Sequence, residues 1–329
     1  MSSYIKPHLT IEQQADLLAT RGMLLERDSA TRWLEMAGYY RLSGYWYPFR
    51  RAIPGGRADE FVAGTTFGQV VALYEFDRRL RLLLLEALER IEVAMRSRIG
   101  YTLGLRGAFA HLNAANLDAR FSAPARSRPG SGRRDSRSRY EIWLSRLKES
   151  QGRSRENFVT HFERRYDGIL PVWVATELLD FGGLSNLFSG LRRVDRDTIA
   201  SGLGVIDSKG GNGAAVANWL HVLTYLRNVC AHHSRLWNAN MAVQLAPTHL
   251  SGVPALQHLG TLTPGELARS YPVMCIVAYL LEQVDPTSSW RTRLAELLST
   301  LPATGRSLSE MGMPAGWGIR LGPEESSNR

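Results

Sequence analysis

From Thr66 to about Leu103 the apolar residues recur three or four apart, at Leu73, Phe76, Leu80, Leu83, Leu84, Leu88, Ile91 and Met95. That period belongs to an α-helix, and a helix of this length becomes a central scaffold on which shorter elements must pack. Helix punctuation surrounds it. Thr10 with Gln13 forms a capping box, Gly22 stands where that helix stops, and Asp28 and Gly38 bracket a second one. The block from Tyr39 to Phe49, punctuated by Gly44 and Pro48, reads as a packed turn or short extended element. Helical patterns resume at about 140–150, 155–166 and 171–180, the last opened by Pro171, and again over about 214–234. The expected fold is all-α: a helical bundle over 66–300, an N-terminal helical and aromatic-turn extension over 1–65, and a tail over 301–329.

A formal charge of +9, from 40 Lys+Arg against 31 Asp+Glu, favours an anionic partner such as nucleic acid. No run approaches the roughly 18 apolar residues of a membrane span, and the opening MSSYIKPHLTIEQQ lacks a signal-peptide core. A cytoplasmic protein with no membrane partner is expected. Cys230 and Cys275, the two cysteines, make no disulfide framework.

Between Arg120 and Arg139 the composition shifts to Ser, Pro, Gly and Arg. Arg126, Arg128, Arg133, Arg134, Arg137 and Arg139 are relieved only by Asp135. Such a segment buries no core and is expected to be a mobile loop. Its bland reading is a solvated linker; its functional reading is an electrostatic arm for RNA phosphates.

The stretch Arg227-Asn228-Val229-Cys230-Ala231-His232-His233 sets a permanent cation, an amide and two imidazoles within two helical turns. On a wheel of about 100° per residue, His221, Tyr225, Asn228 and His232 share one stripe, opposite Trp219, Leu223, Leu226 and Cys230. Arg227 lies on the boundary and His233 nearer the apolar side. His232 is therefore the better catalytic candidate. An imidazole serves as base or acid near neutrality, and a guanidinium holds a phosphate through two parallel hydrogen bonds.

Other chemistries find less support. His111, His161 and His221 read as ordinary surface or core histidines. Cys230, His232, His233 and Cys275 lack the spacing of a zinc site, so no metal or other cofactor is expected. The cluster Lys209-Gly210-Gly211-Asn212-Gly213 lacks the ending of a phosphate loop and reads as a flexible lead into the next helix. Glu92 and Glu177 are expected to pair with arginines on neighbouring helices.

Arg227 through Asn238 resembles the signature of the Abi-like proteins (AbiD/AbiF type) of bacterial abortive-infection systems, within the HEPN (higher eukaryotes and prokaryotes nucleotide-binding) superfamily. Further blocks similar to the family are Lys6-Pro7 through Gly22, Tyr39 through Tyr45, Phe76-Asp77-x-x-Leu80-Arg81 with Glu92 and Arg96, and Trp173-x-x-x-Glu177-Leu178-x-x-Phe181-Gly182. The resemblance implies a HEPN-like helical bundle and a metal-independent endoribonuclease whose Arg and His are paired across a homodimer. Arg227 and His232 hold those positions; Asn228 matches the polar residue that follows the arginine, and His233 the second histidine. Arg235 joins the loop arginines as a candidate RNA contact. The family commonly continues Leu-Trp-Asn-Arg, whereas Ala239 follows Asn238 here. The implied partners are an RNA substrate and a noncoding RNA or protein antitoxin. The alternative is a non-catalytic HEPN module that senses or sequesters RNA.

Overall fold

The computed structural model describes residues 7–124, 137–250, 252–302 and 304–314. In chain order come α1 (Ile11–Thr20), α2 (Arg27–Ala37), α3 (Tyr39–Trp46), a hairpin of β1 (Arg50–Ile53) and β2 (Gly56–Phe61), and α4 (Phe67–Gly104). Then follow α5 (Ala119–Ser122), α6 (Arg139–Arg153), α7 (Asn157–Arg165), α8 (Val172–Ala175), α9 (Phe181–Gly190) and α10 (Arg193–Ser201). A tiny hairpin of β3 (Ile206–Asp207) and β4 (Gly210–Gly211) precedes α11 (Gly213–Ala231), and α12 (Pro264–Leu267), α13 (Ser270–Val284) and α14 (Trp290–Ser299) complete the set. The architecture is all-α, as the punctuation predicts.

The 38-residue α4 is the axis of the fold, with α3, α8, α9, α10, α11, α13 and α14 packed around it. Thr66 starts it through a capping box with Gln69, and Leu73, Phe76, Leu80, Leu84, Leu88, Ile91 and Met95 are buried along it. Being enclosed on several sides, it buries the charged pair Asp77 and Arg81 as well. None of the described helices is long and apolar enough to cross a membrane.

The packing extends beyond the bundle. Ala15 and Leu18 of α1, and Met311 and Met313 from the expected tail, join the same apolar core as α4.

Two local expectations change. Residues 39–46 form a helix, not a turn: Leu42, Tyr45 and Trp46 recur at helical spacing and are buried, while Pro48 falls after the helix in a 3-10 turn. Burial of that face overrides the weak propensity of Gly44. The glycine cluster is close-packed hairpin, not slack chain. A Cβ on Gly211 would sit 1.8 Å from the Asp197 carbonyl oxygen, so only glycine fits against α10 there. Asn212 then caps α11 by accepting from the Ala215 N–H at 3.0 Å.

Candidate functional site

The stripe drawn on the wheel is the one exposed to solvent. His221, Asn228 and His232 are exposed and Tyr225 and Arg227 half-buried, whereas Trp219, Leu223, Leu226 and Cys230 are fully buried. Tyr225, Asn228 and His232 line a shallow cavity of about 270 Å3 together with Ser234, Arg235 and Met241. Arg227 Nη1 lies 3.4 Å from Asn228 Oδ1, so cation and amide share the last turn of α11. The positive charge of Arg227 also reaches Glu92 on α4. Burial pushes the Glu92 carboxyl up, and Arg96 and then Arg227 pull against that.

The helix does not run to Ser234 as the periodicity predicts; it stops at Ala231. His232 is the C-cap and His233 takes the left-handed conformation, with φ 57°. The N–H of His233 bonds the Cys230 carbonyl at 3.1 Å and that of Ser234 the Val229 carbonyl at 2.9 Å. This is a Schellman turn, whose left-handed position is usually glycine. His232 stays in register, its N–H on the Asn228 carbonyl at 2.9 Å. His233, expected nearer the apolar side, is exposed because the reversal of handedness swings it outward. Both imidazoles are thus exposed, one from the C-cap and one from the left-handed position after it.

Three ties hold this turn. Arg41 Nη1 on α3 donates to the His233 carbonyl at 2.6 Å. Arg235 Nη1 donates to the Gly44 carbonyl, so this candidate RNA contact is engaged in anchoring the turn to α3. Below them, the buried Asp77 carboxylate accepts the N–H of Leu236 at 3.2 Å and that of Trp237 at 2.8 Å. The same carboxylate receives the Tyr45 hydroxyl at 2.6 Å and pairs with Arg81. Burial pushes the Asp77 carboxyl up, opposed by Arg81, Tyr45 and the two N–H groups. Every one of its partners is a donor, so the geometry is that of an ionised carboxylate. Burial and Asp77 push the Tyr45 phenol up, which keeps it a donor.

Asp77, Arg81, Arg41 and Tyr45 sit in sequence blocks read as similar to the family, yet nothing in their spacing gives them this role. Contacts spanning 192 and 159 residues of chain leave no local signature.

Of the loop arginines, Arg126, Arg128, Arg133 and Arg134 lie outside the described residues. Arg137 and Arg139 are exposed. Arg139 opens α6, donates to Ser189 Oγ at 2.8 Å and lies over the Phe121 ring. Glu177 faces Arg96 of the neighbouring α4 at 3.9 Å, as expected, whereas Glu92 pairs at 2.6 Å with the same guanidinium one turn along its own helix, not with a neighbouring one.

Cys230 is buried on the opposite side of α11 from the histidines, and burial pushes its thiol up to about 12. It has the character of a core side chain. Among the described residues, no three His, Cys, Asp or Glu side chains are grouped so as to hold a metal ion.

No curated protein and no solved structure matches the chain. The family profile described as Abi-like protein matches residues 32–238. The matched span leaves out the Lys6 to Gly22 block and closes just past Trp237, whose N–H lies on Asp77. It thus contains α3, α4, α11 and the turn that these elements hold together. The chain belongs to the Abi-like protein family.

Proposed function

We propose that this protein is a metal-independent endoribonuclease of the HEPN type that acts in abortive infection, the bacterial defence for which its family is named. The observation that carries the reading is the exposure of Asn228 and His232 on one stripe at the end of α11, beside a cavity and above a rigidly tied turn, with the half-buried Arg227 reaching Asn228 from the edge of that stripe. Polar groups held in place by buried contacts are what a reaction with no covalent intermediate requires.

In the reaction, the RNA 2'-hydroxyl attacks the adjacent phosphorus. A base takes the 2'-hydroxyl proton, an acid protonates the departing 5'-oxygen, and the products carry a 2',3'-cyclic phosphate and a 5'-hydroxyl. Arg227, always charged, holds the phosphate and stabilises the charge that develops on it. His232 supplies one of the two proton-transfer groups. A second protomer supplies the other, because the stripe of one α11 carries His232 as its single histidine at the motif. Asn228 orients Arg227 or the ribose. An RNA or protein antitoxin restrains the activity.

The test is expression of wild type beside Arg227→Ala and His232→Ala, with mapping of RNA ends in the presence of a chelator. New ends bearing cyclic phosphate in wild type alone support the reading. Cleavage retained by either folded variant overturns it. Wild type that binds RNA and leaves it intact makes the protein a non-catalytic RNA-binding module instead.

A further inference from the structure

A groove of about 1060 Å3 lies between α6, α9 and α11, away from the His232 cavity. Arg139, Arg146 and Arg153 line it from α6. Their spacing of seven residues places them about 10 Å apart along the helix, on one face. All three are exposed, and among the described residues the guanidinium groups of Arg146 and Arg153 make no hydrogen bond or ion pair. The facing wall is α11, with Asn218, His221 and Thr224.

Two carboxylates also line the space. Asp180 is committed to capping α9, accepting the Gly183 N–H at 2.7 Å, and Glu149 accepts from Ser145 at 3.4 Å. Three arginines against these two carboxylates leave the lining net positive. The floor residue Trp143 has its indole N–H on the Gly183 carbonyl at 3.1 Å, which fixes the groove wall.

Groove and motif are neighbours along α11. Thr224 is one turn before Asn228 on the same helix, about 6 Å along its axis. Glu92 feels both Asp180 of the groove and Arg227 of the motif.

We propose that this groove binds the phosphate backbone of single-stranded RNA and delivers the strand to Arg227 and His232. The destination rests on the ribonuclease reading; the binding does not. Periodic arginines on a rigid helix suit successive phosphates, each held by a planar fork of donors. A single strand can lie inside a space of this size, whereas a duplex would meet only the rim.

The experiment measures binding of one labelled RNA, single-stranded or annealed to its complement, across a salt series. All proteins carry His232→Ala, so the probe is not consumed. Arg146→Ala with Arg153→Ala is expected to weaken single-strand affinity about tenfold and to flatten the slope of log K against log salt by about 1.4, two contacts' worth. Arg146→Lys with Arg153→Lys should restore most of the affinity, and circular dichroism reports folding. Unchanged affinity and slope in the alanine pair, tighter binding of the duplex, or no RNA binding at all overturns the proposal. A protein with an intact motif that cleaves RNA equally well with and without the alanine pair sinks the groove alone. RNA bound through the arginines but never cut sinks the ribonuclease reading alone.

Discussion

The carboxylate of Asp77 accepts the backbone N–H of Trp237 at 2.8 Å, joining the first third of the central helix to the chain just past the motif. Because Asp77 is fully buried and paired with Arg81, replacing it by Asn leaves a buried guanidinium without its counter-charge. Asp77→Asn should lower unfolding free energy by about 3 kcal/mol, within the range for breaking a buried pair. Urea titration measures it, and a loss under about 1 kcal/mol would show that the pair contributes little to holding the turn.

His233 occupies a left-handed position that suits glycine. His233→Gly relieves backbone strain and should raise stability by about 1 kcal/mol. If His232 is the proton-transfer group, the glycine variant keeps RNA cleavage while His232→Ala loses it. Comparing initial cleavage rates of the two variants decides this, and the reverse order would transfer the role to His233.

His111 is buried against Trp143, and burial pushes its imidazole down from 6.5 to about 4. Between those values the unfolded chain binds a proton that the folded one refuses, so stability is full above pH 6.5 and falls as the pH drops towards 4. The loss should be of order 3 kcal/mol if the whole shift is expressed. The thermal midpoint of wild type, taken from neutral to mildly acidic pH, should fall relative to that of His111→Phe as the pH drops. Parallel curves would contradict the burial argument.

Cys230 and Cys275 are both buried, and burial pushes both thiols up to about 12. Neither should react with a thiol-alkylating reagent in the native protein, while both should do so in denaturant. Mass spectrometry counts the adducts. Rapid native labelling of Cys230 would mean that the end of α11 opens locally.

Much of this was legible from periodicity. The long helix from Thr66, the capping box at Thr10 and the division of α11 into exposed and buried faces follow from local spacing, and local spacing is what helical geometry converts into structure. The helix over Tyr39–Trp46 was hidden because its glycine and proline speak for a turn, while the apolar face that decides the matter is covered largely by α4, distant in sequence. The end of α11 was hidden for a related reason. His233 is a poor left-handed residue, and the contacts from Arg41 and Asp77 that hold the turn come from distant chain. The seven-residue spacing of Arg139, Arg146 and Arg153 was visible, but the space beside it exists only once α9 and α11 are in place.

One rigid rod carries His221 in the groove and the motif at its end, some eleven residues or about 16 Å further on. Such a rod is a ruler. Adding a single residue between His221 and Arg227 would ask the motif to turn through about 100° relative to the groove, against the burial of Leu226 and Cys230 and the ties that hold the turn. The length of α11, not only its chemistry, sets which bond of a bound strand would meet His232.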